Sequence, residues 1–137
     1  MESTTEIENS DLATTLKGKP GYLPCQYIEM ALKEGMIHSK TPIEGLQIQP
    51  VSLDLRLGTK AYRIQCSFLP ENEAVESKLK EISLYEFDIS NGGILEKNAI
   101  YLIPLMEELN LPSSFYGLAN PKSSTGRLDM FTRVIVD

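Results

Sequence analysis

Ile48-Gln49-Pro50-Val51-Ser52-Leu53-Asp54-Leu55-Arg56-Leu57-Gly58 is apolar at Ile48, Val51, Leu53, Leu55 and Leu57 and polar at Ser52, Asp54 and Arg56. A period of two residues predicts a half-buried strand over residues 48–57, its polar face turned to solvent or to a partner. Asp54 and Arg56, two apart, share that polar face. An ion pair or hydrogen bond that stiffens the strand is the ordinary use of such a carboxylate; a metal or subunit contact is the alternative.

Outward from this strand the chain is punctuated at short intervals. Upstream, a helix is expected to start at Pro24 and run through Tyr27, Ile28, Ala31 and Leu32, with Gly35 as its stop. That apolar spacing makes it a surface helix with one buried stripe, Tyr27 and Met30 packing at its edge. Residues 1–19 are rich in Ser, Thr, Glu and Asp, with few large apolar side chains, and are read as a flexible acidic tail. Residues 20–137 are read as the folded domain. His38 falls in a Ser, Lys, Thr, Pro stretch, where an exposed loop imidazole without a catalytic role is expected.

Downstream, residues 62–69 and 82–89 read as strands, joined by a charged surface loop with a helical turn near residues 75–79. Asn91-Gly92-Gly93 is a turn signal, with strands at 94–95 and 99–105 beyond it and a short connection at 109–112. Residues 115–119 and 131–136 are expected as strands on either side of a polar turn. Many short strands and a single firm helix indicate a mostly β domain, a barrel or a sandwich.

Composition narrows the function. With 137 residues, 42% of them hydrophobic, the chain suits one domain. A net charge of −6 disfavours broad attraction to nucleic acid or to an anionic membrane, and no apolar run is long enough to span a bilayer. The N-terminus lacks the basic-then-apolar pattern of a secretory signal, so the expected place is the cytoplasm, with Cys25 and Cys66 reduced and buried. Cys25, Cys66 and His38 fall outside any metal-type spacing, so no catalytic zinc is expected.

Within this acidic chain, Asn120-Pro121-Lys122-Ser123-Ser124-Thr125-Gly126-Arg127-Leu128-Asp129-Met130-Phe131 concentrates cations and hydroxyls in one turn. Lys122 and Arg127 supply fixed charge, and Ser123, Ser124 and Thr125 supply short donors. Gly126 is expected to let backbone N–H groups approach an oxyanion. The composition suits a phosphate; a solvated polar turn is the plainer alternative. Asp129 is read as capping or orienting the turn.

The two motifs, taken in this order, resemble those of the dCTP deaminases in the deoxyuridine-triphosphatase-like superfamily, which carry an I-Q-P-x-S-x-D-L-R-L-G strand and later a K/R-S-S-x-x-R loop. Ala61-Tyr62-Arg63, Ser67-Phe68-Leu69-Pro70 and residues 119–134 look like the amino-terminal part of the long, two-domain bacterial form. The resemblance covers about residues 21–137.

It implies a β-clip fold, a distorted dUTPase-like barrel with one N-terminal surface helix, incomplete at its C-terminus, assembling as trimers with sites between subunits. It implies dCTP as substrate and dUTP as product, by metal-free deamination in pyrimidine deoxynucleotide metabolism, with Mg2+ bound through the triphosphate and no zinc. Carried over position by position, Ser123 and Arg127 would be catalytic. Lys122, Ser123, Ser124 and Arg127 would bind substrate. The family's catalytic glutamate lies on strands beyond position 137, so this chain is expected to be an N-terminal fragment, inactive alone.

Two other readings stay open. One is a dUTP pyrophosphatase or a bifunctional enzyme taking dCTP to dUMP, although Lys122-Ser123-Ser124 with Arg127 has the deaminase form. The other is a non-catalytic nucleotide-binding or assembly module.

Overall fold

The computed structural model of the chain describes residues 10–70 and 73–135. It divides into two compact units, Met1–Leu57 with Leu105–Tyr116, and Gly58–Pro104 with Gly117–Asp137.

The first unit is built on helix α2, Cys25–Lys33, with Pro24 at its N-cap. Ile28 and Ala31 give it a buried stripe, and Gly35, at φ +73°, turns the chain out of the helix where a β-carbon would be strained. Met36, wholly buried, follows at once. Strand β1, Ile37–Ser39, then pairs antiparallel with β7, Glu107–Leu109. His38 therefore stands in a strand rather than in the expected loop, exposed, with its Nε2 3.1 Å from Glu108 Oε2. The connection expected at residues 109–112 starts one residue inside β7, which ends at Leu109. Two adjacent glutamates conceal a strand whose carboxylates are both engaged.

Part of the expected tail is folded. Asp11–Leu16 form helix α1, capped by Ser10, whose Oγ accepts from the Ala13 N–H at 3.1 Å. Leu12 and Ala13 enter one core with Ala31 and Met36, with Leu16, Tyr27, Met30, Ile37, Leu111 and Phe115 packed around them. Averaged composition over residues 1–19 hid this turn, because one leucine in a matching slot is enough to dock six residues. Residues 1–9 lie outside the described residues.

The stretch that opens the chain's reading, residues 48–57, is not one strand. Strands β2, Ile48–Gln49, and β3, Ser52–Leu53, pair with each other across a two-residue turn at Pro50 and Val51. Proline's fixed φ and missing N–H favour that turn over a continuous strand. The Pro50 carbonyl accepts from the Cys25 N–H at 2.9 Å, tying the turn to the start of α2. Val51, Leu55 and Leu57 are exposed, so the alternation does not mark a buried face within this chain. The preceding Gln47, in the 3-10 turn Gly45–Gln47, is the buried residue.

In the second unit a three-stranded antiparallel sheet has the order β5-β4-β6, from Ser83–Asp88, Lys60–Ile64 and Ile100–Leu102. Ala61 and Ile64 on the central strand are buried. Arg63 sits opposite Tyr85 on one side and Tyr101 on the other, its guanidinium 5.7 Å from the Tyr101 ring centre. Helix α3, Val75–Ile82, extends the helical turn expected there. The Asn91–Gly93 turn is present, with Gly92 at φ +90°.

Gly58 donates its N–H to the Pro104 carbonyl at 2.7 Å, and a β-carbon there would lie 2.9 Å from that oxygen. Gly58→Ala is expected to cost about 1–3 kcal/mol, because backbone rather than a flexible side chain must yield. Urea unfolding measures it; a loss below about 0.5 kcal/mol would show that the approach is relaxed.

The strands expected at 94–95, 115–119 and 131–136 do not form among the described residues, and residue 136 lies outside them. Apolar pattern alone does not make a strand; a backbone ladder does, and Tyr116 and Phe131, 83% and 93% exposed, lie on open surface. The sheets are small and open. No helix among the described residues is long and apolar enough to cross a membrane.

Candidate functional site

The cation-rich turn folds as a five-residue helix, α4, Ser123–Arg127, with Lys122 as N-cap. Three donors converge on the Lys122 carbonyl: the N–H groups of Thr125 and Gly126, at 3.1 and 3.2 Å, and Thr125 Oγ1 at 2.6 Å. The other end closes just as tightly. Asp129 takes the left-handed conformation, φ +58°, and gives its N–H to the Gly126 carbonyl, while the Met130 N–H reaches the Thr125 carbonyl. This crossed pair is the Schellman arrangement, with aspartate where glycine is usual. Asp129 thus shapes the turn through its backbone.

Closure at both ends decides which groups remain for a ligand. Thr125 is spent on Lys122. Gly126 is helical, its N–H is given to the Lys122 carbonyl, and open space surrounds the position of a β-carbon. The side chains of Lys122, Ser123, Ser124 and Arg127 all stand exposed. Ser123 and Arg127, four apart, share one face of the helix. The structure therefore brings every residue assigned to the site from the sequence into one solvent-facing turn.

The other motif is a buried polar clamp. Glu107, with its side chain 1% exposed, accepts from Arg56 Nε at 2.7 Å, from the Arg56 N–H at 2.7 Å and from Gln47 Nε2 at 3.0 Å. Burial pushes the Glu107 carboxyl up, but the backbone and guanidinium of Arg56 and the Gln47 amide outweigh it and hold it below its ordinary value. Arg56 then reaches the carbonyls of Thr41 and Pro42, each at 3.0 Å. Gln47 Nε2 also bonds the Asp54 carbonyl, and its Oε1 accepts from the Glu44 N–H. Asp54 accepts from Gln49 Nε2 at 3.4 Å, a long bond across the hairpin of the stiffening kind.

Sequence reasoning missed Glu107. Its signal was a carboxylate pair, Glu107-Glu108, standing inside the apolar stretch between Ile100 and Leu111. Cys25 and Cys66 are free thiols, Cys66 exposed where burial was expected. Among the described residues no three His, Cys, Asp or Glu side chains cluster to hold a metal ion. A surface groove lined by Tyr85, Phe87, Asp88, Gly93, Ile94 and Glu96 includes none of residues 122–127.

The family described as "2'-deoxycytidine 5'-triphosphate deaminase (DCD) N-terminal domain" matches residues 19–137. A protein of Sulfurihydrogenibium sp. (strain YO3AOP1), named "dCTP deaminase, dUMP-forming", is 30% identical over 108 residues, 76% of this chain and 57% of that protein. The crystal structure of 2'-deoxycytidine 5'-triphosphate deaminase from Agrobacterium tumefaciens superposes with a TM-score of 0.82 at 47% identity, over 85% of this chain and 36% of that one. The chain thus spans little more than half of the curated relative and about a third of the solved one. At that identity the likeness shows a shared fold, the dUTPase-like distorted barrel, here with open sheets.

Proposed function

The chain belongs to the dCTP deaminase family, matching its N-terminal domain, and we propose from that premise that it supplies the phosphate-gripping and charge-stabilising half of a dCTP deaminase site. The observation that carries the proposal is the turn closed at both ends, with Lys122, Ser123, Ser124 and Arg127 left exposed to solvent.

The reaction adds water to C4 of the cytosine ring and expels ammonia, leaving uracil on the nucleotide. Charge develops on the ring as the tetrahedral centre forms, and water must lose a proton. Arg127 would hold the general base and the developing charge. Ser123 on the same face would orient the water or the base. Lys122 and Ser124, with Ser123, would take the triphosphate oxygens. A glutamate outside these 137 residues would be the general base, and deamination would need it. Among the described residues no three His, Cys, Asp or Glu side chains cluster to hold a metal ion; Mg2+ would ride on the triphosphate and neutralise part of its charge.

Assembly through a second copy fits the apolar surface beside the turn. Leu118, Leu128 and Phe131 are between 69% and 93% exposed, a density that partners usually cover. A trimer with sites between subunits is the proposed form.

Lys122→Ala is expected to raise KM for dCTP about tenfold with kcat little changed, because a charge-assisted phosphate contact is worth about 1.5–3 kcal/mol and is made before the transition state. Steady-state kinetics check it; an unchanged KM would remove Lys122 from the phosphate site.

A second reading is favoured by the relative named dUMP-forming: the same site would also hydrolyse the triphosphate. Supplying dUTP in place of dCTP separates the two. Release of dUMP and pyrophosphate supports the bifunctional enzyme, and intact dUTP supports deamination alone.

A further inference from the structure

Given the phosphate role proposed for Lys122 and Arg127, on which this rests, we infer that Asp129 sets how tightly the turn holds its ligand, its negative charge loosening the hold in proportion to the ligand's own. Closing the turn asks only a backbone of residue 129. Its N–H meets the Gly126 carbonyl at 3.0 Å, and a φ of +58° brings the Met130 N–H to 3.2 Å from the Thr125 carbonyl. Glycine satisfies both demands without steric cost, whereas a β-carbon is crowded in the left-handed region. Aspartate is tolerated there when its short side chain bonds the local backbone. Among the described residues no hydrogen bond or ion pair uses the Asp129 carboxylate, and the residue is exposed. Turn closure therefore does not account for an acid at this position, and a strained residue beside a site points to a use for its side chain.

The use lies in its charge. Lys122, Arg127 and Arg133 are the cations of residues 117–135, and Asp129 is the carboxylate among them. Arg127 is two residues away, at most about 7 Å between α-carbons, and α4, which separates it from Lys122, is only about 7.5 Å long. At about 8 Å, in the screened surroundings of a surface, one carboxylate facing the several negative charges of a triphosphate weakens binding about three- to tenfold. Deamination leaves the triphosphate untouched. A tighter grip would thus retain the uracil product as firmly as the substrate and add nothing to the chemical step. Asp129 keeps that grip loose.

Asp129→Asn removes the charge and keeps a residue that accepts the left-handed backbone; Asp129→Gly removes charge and β-carbon together. The measurement is equilibrium binding of dUTP and of dUMP to the full-length protein at low salt, with EDTA to keep the nucleotides free of metal. Both variants are expected to bind dUTP about three- to tenfold more tightly than wild type. For dUMP, with about half the charge, the gain is expected to be about two- to threefold, and both gains should shrink as salt rises from about 0.05 to 0.5 M. Asp129→Gly should melt no lower than wild type. No gain, or an equal gain for the two nucleotides, would overturn the inference and leave the phosphate role of Lys122 and Arg127 standing. A melting temperature of Asp129→Gly lower by more than about 4 °C would make the side chain structural and overturn it too. If wild type binds neither nucleotide, with or without Mg2+, the phosphate role itself falls and the inference with it.

Discussion

Arg127→Ala is expected to slow dCTP deamination by the full-length protein about 10²- to 10³-fold, the usual loss when a donor aimed at transition-state charge is removed. Its thermal unfolding should stay within about 0.5 kcal/mol of wild type, because the side chain is exposed and the turn is closed by backbone bonds and Thr125. Those bonds persist in the variant, so lost activity would report lost chemistry. A drop shared equally by kcat and kcat/KM locates the loss in the transition state. A variant of wild-type activity would take Arg127 out of the site.

Glu107→Ala should have the opposite profile, with a large cost in stability. Removing one partner of a buried, hydrogen-bonded ion pair costs about 3–5 kcal/mol, since the partner is left unsatisfied. Here the Arg56 guanidinium, the Arg56 N–H and the Gln47 amide all lose their acceptor. Against a typical stability of about 5–15 kcal/mol, that is a large share. Urea unfolding measures it, and a loss below about 1 kcal/mol would contradict the clamp. The pH dependence follows from the same bonds. With its folded pKa held below the unfolded one, Glu107 contributes stability that is present above the ordinary carboxylate range and lost as pH falls through the folded value. Glu107→Gln should therefore flatten the decline in stability between neutral pH and about pH 3.

The sequence exposes the chemistry more readily than the scaffold. Lys122, Ser123, Ser124 and Arg127 are local to one turn, so their proximity needs no tertiary information, and the structure finds them exposed together. Arg56 was legible as polar but its partner was not, because Glu107 lies fifty-one positions away in sequence. Periodicity misread residues 48–57 for a related reason. Pro50 breaks the strand, and the apolar side chains of Val51, Leu55 and Leu57 stay exposed in this chain. The helix at Cys25–Lys33 was readable from its own caps and stripe, whereas α1 was not, since only the slot between Ala31 and Met36 makes it fold. Strands expected at 115–119 and 131–136 had the composition of strands without a ladder to join.

The most direct test of the central claim is to incubate the full-length protein with dCTP and Mg2+ and to resolve the nucleotides by anion-exchange chromatography while ammonia is assayed. The account predicts uracil nucleotide and ammonia in equal amounts, as dUTP or as dUMP. Recovery of dCTP unchanged, with no ammonia released, would contradict it.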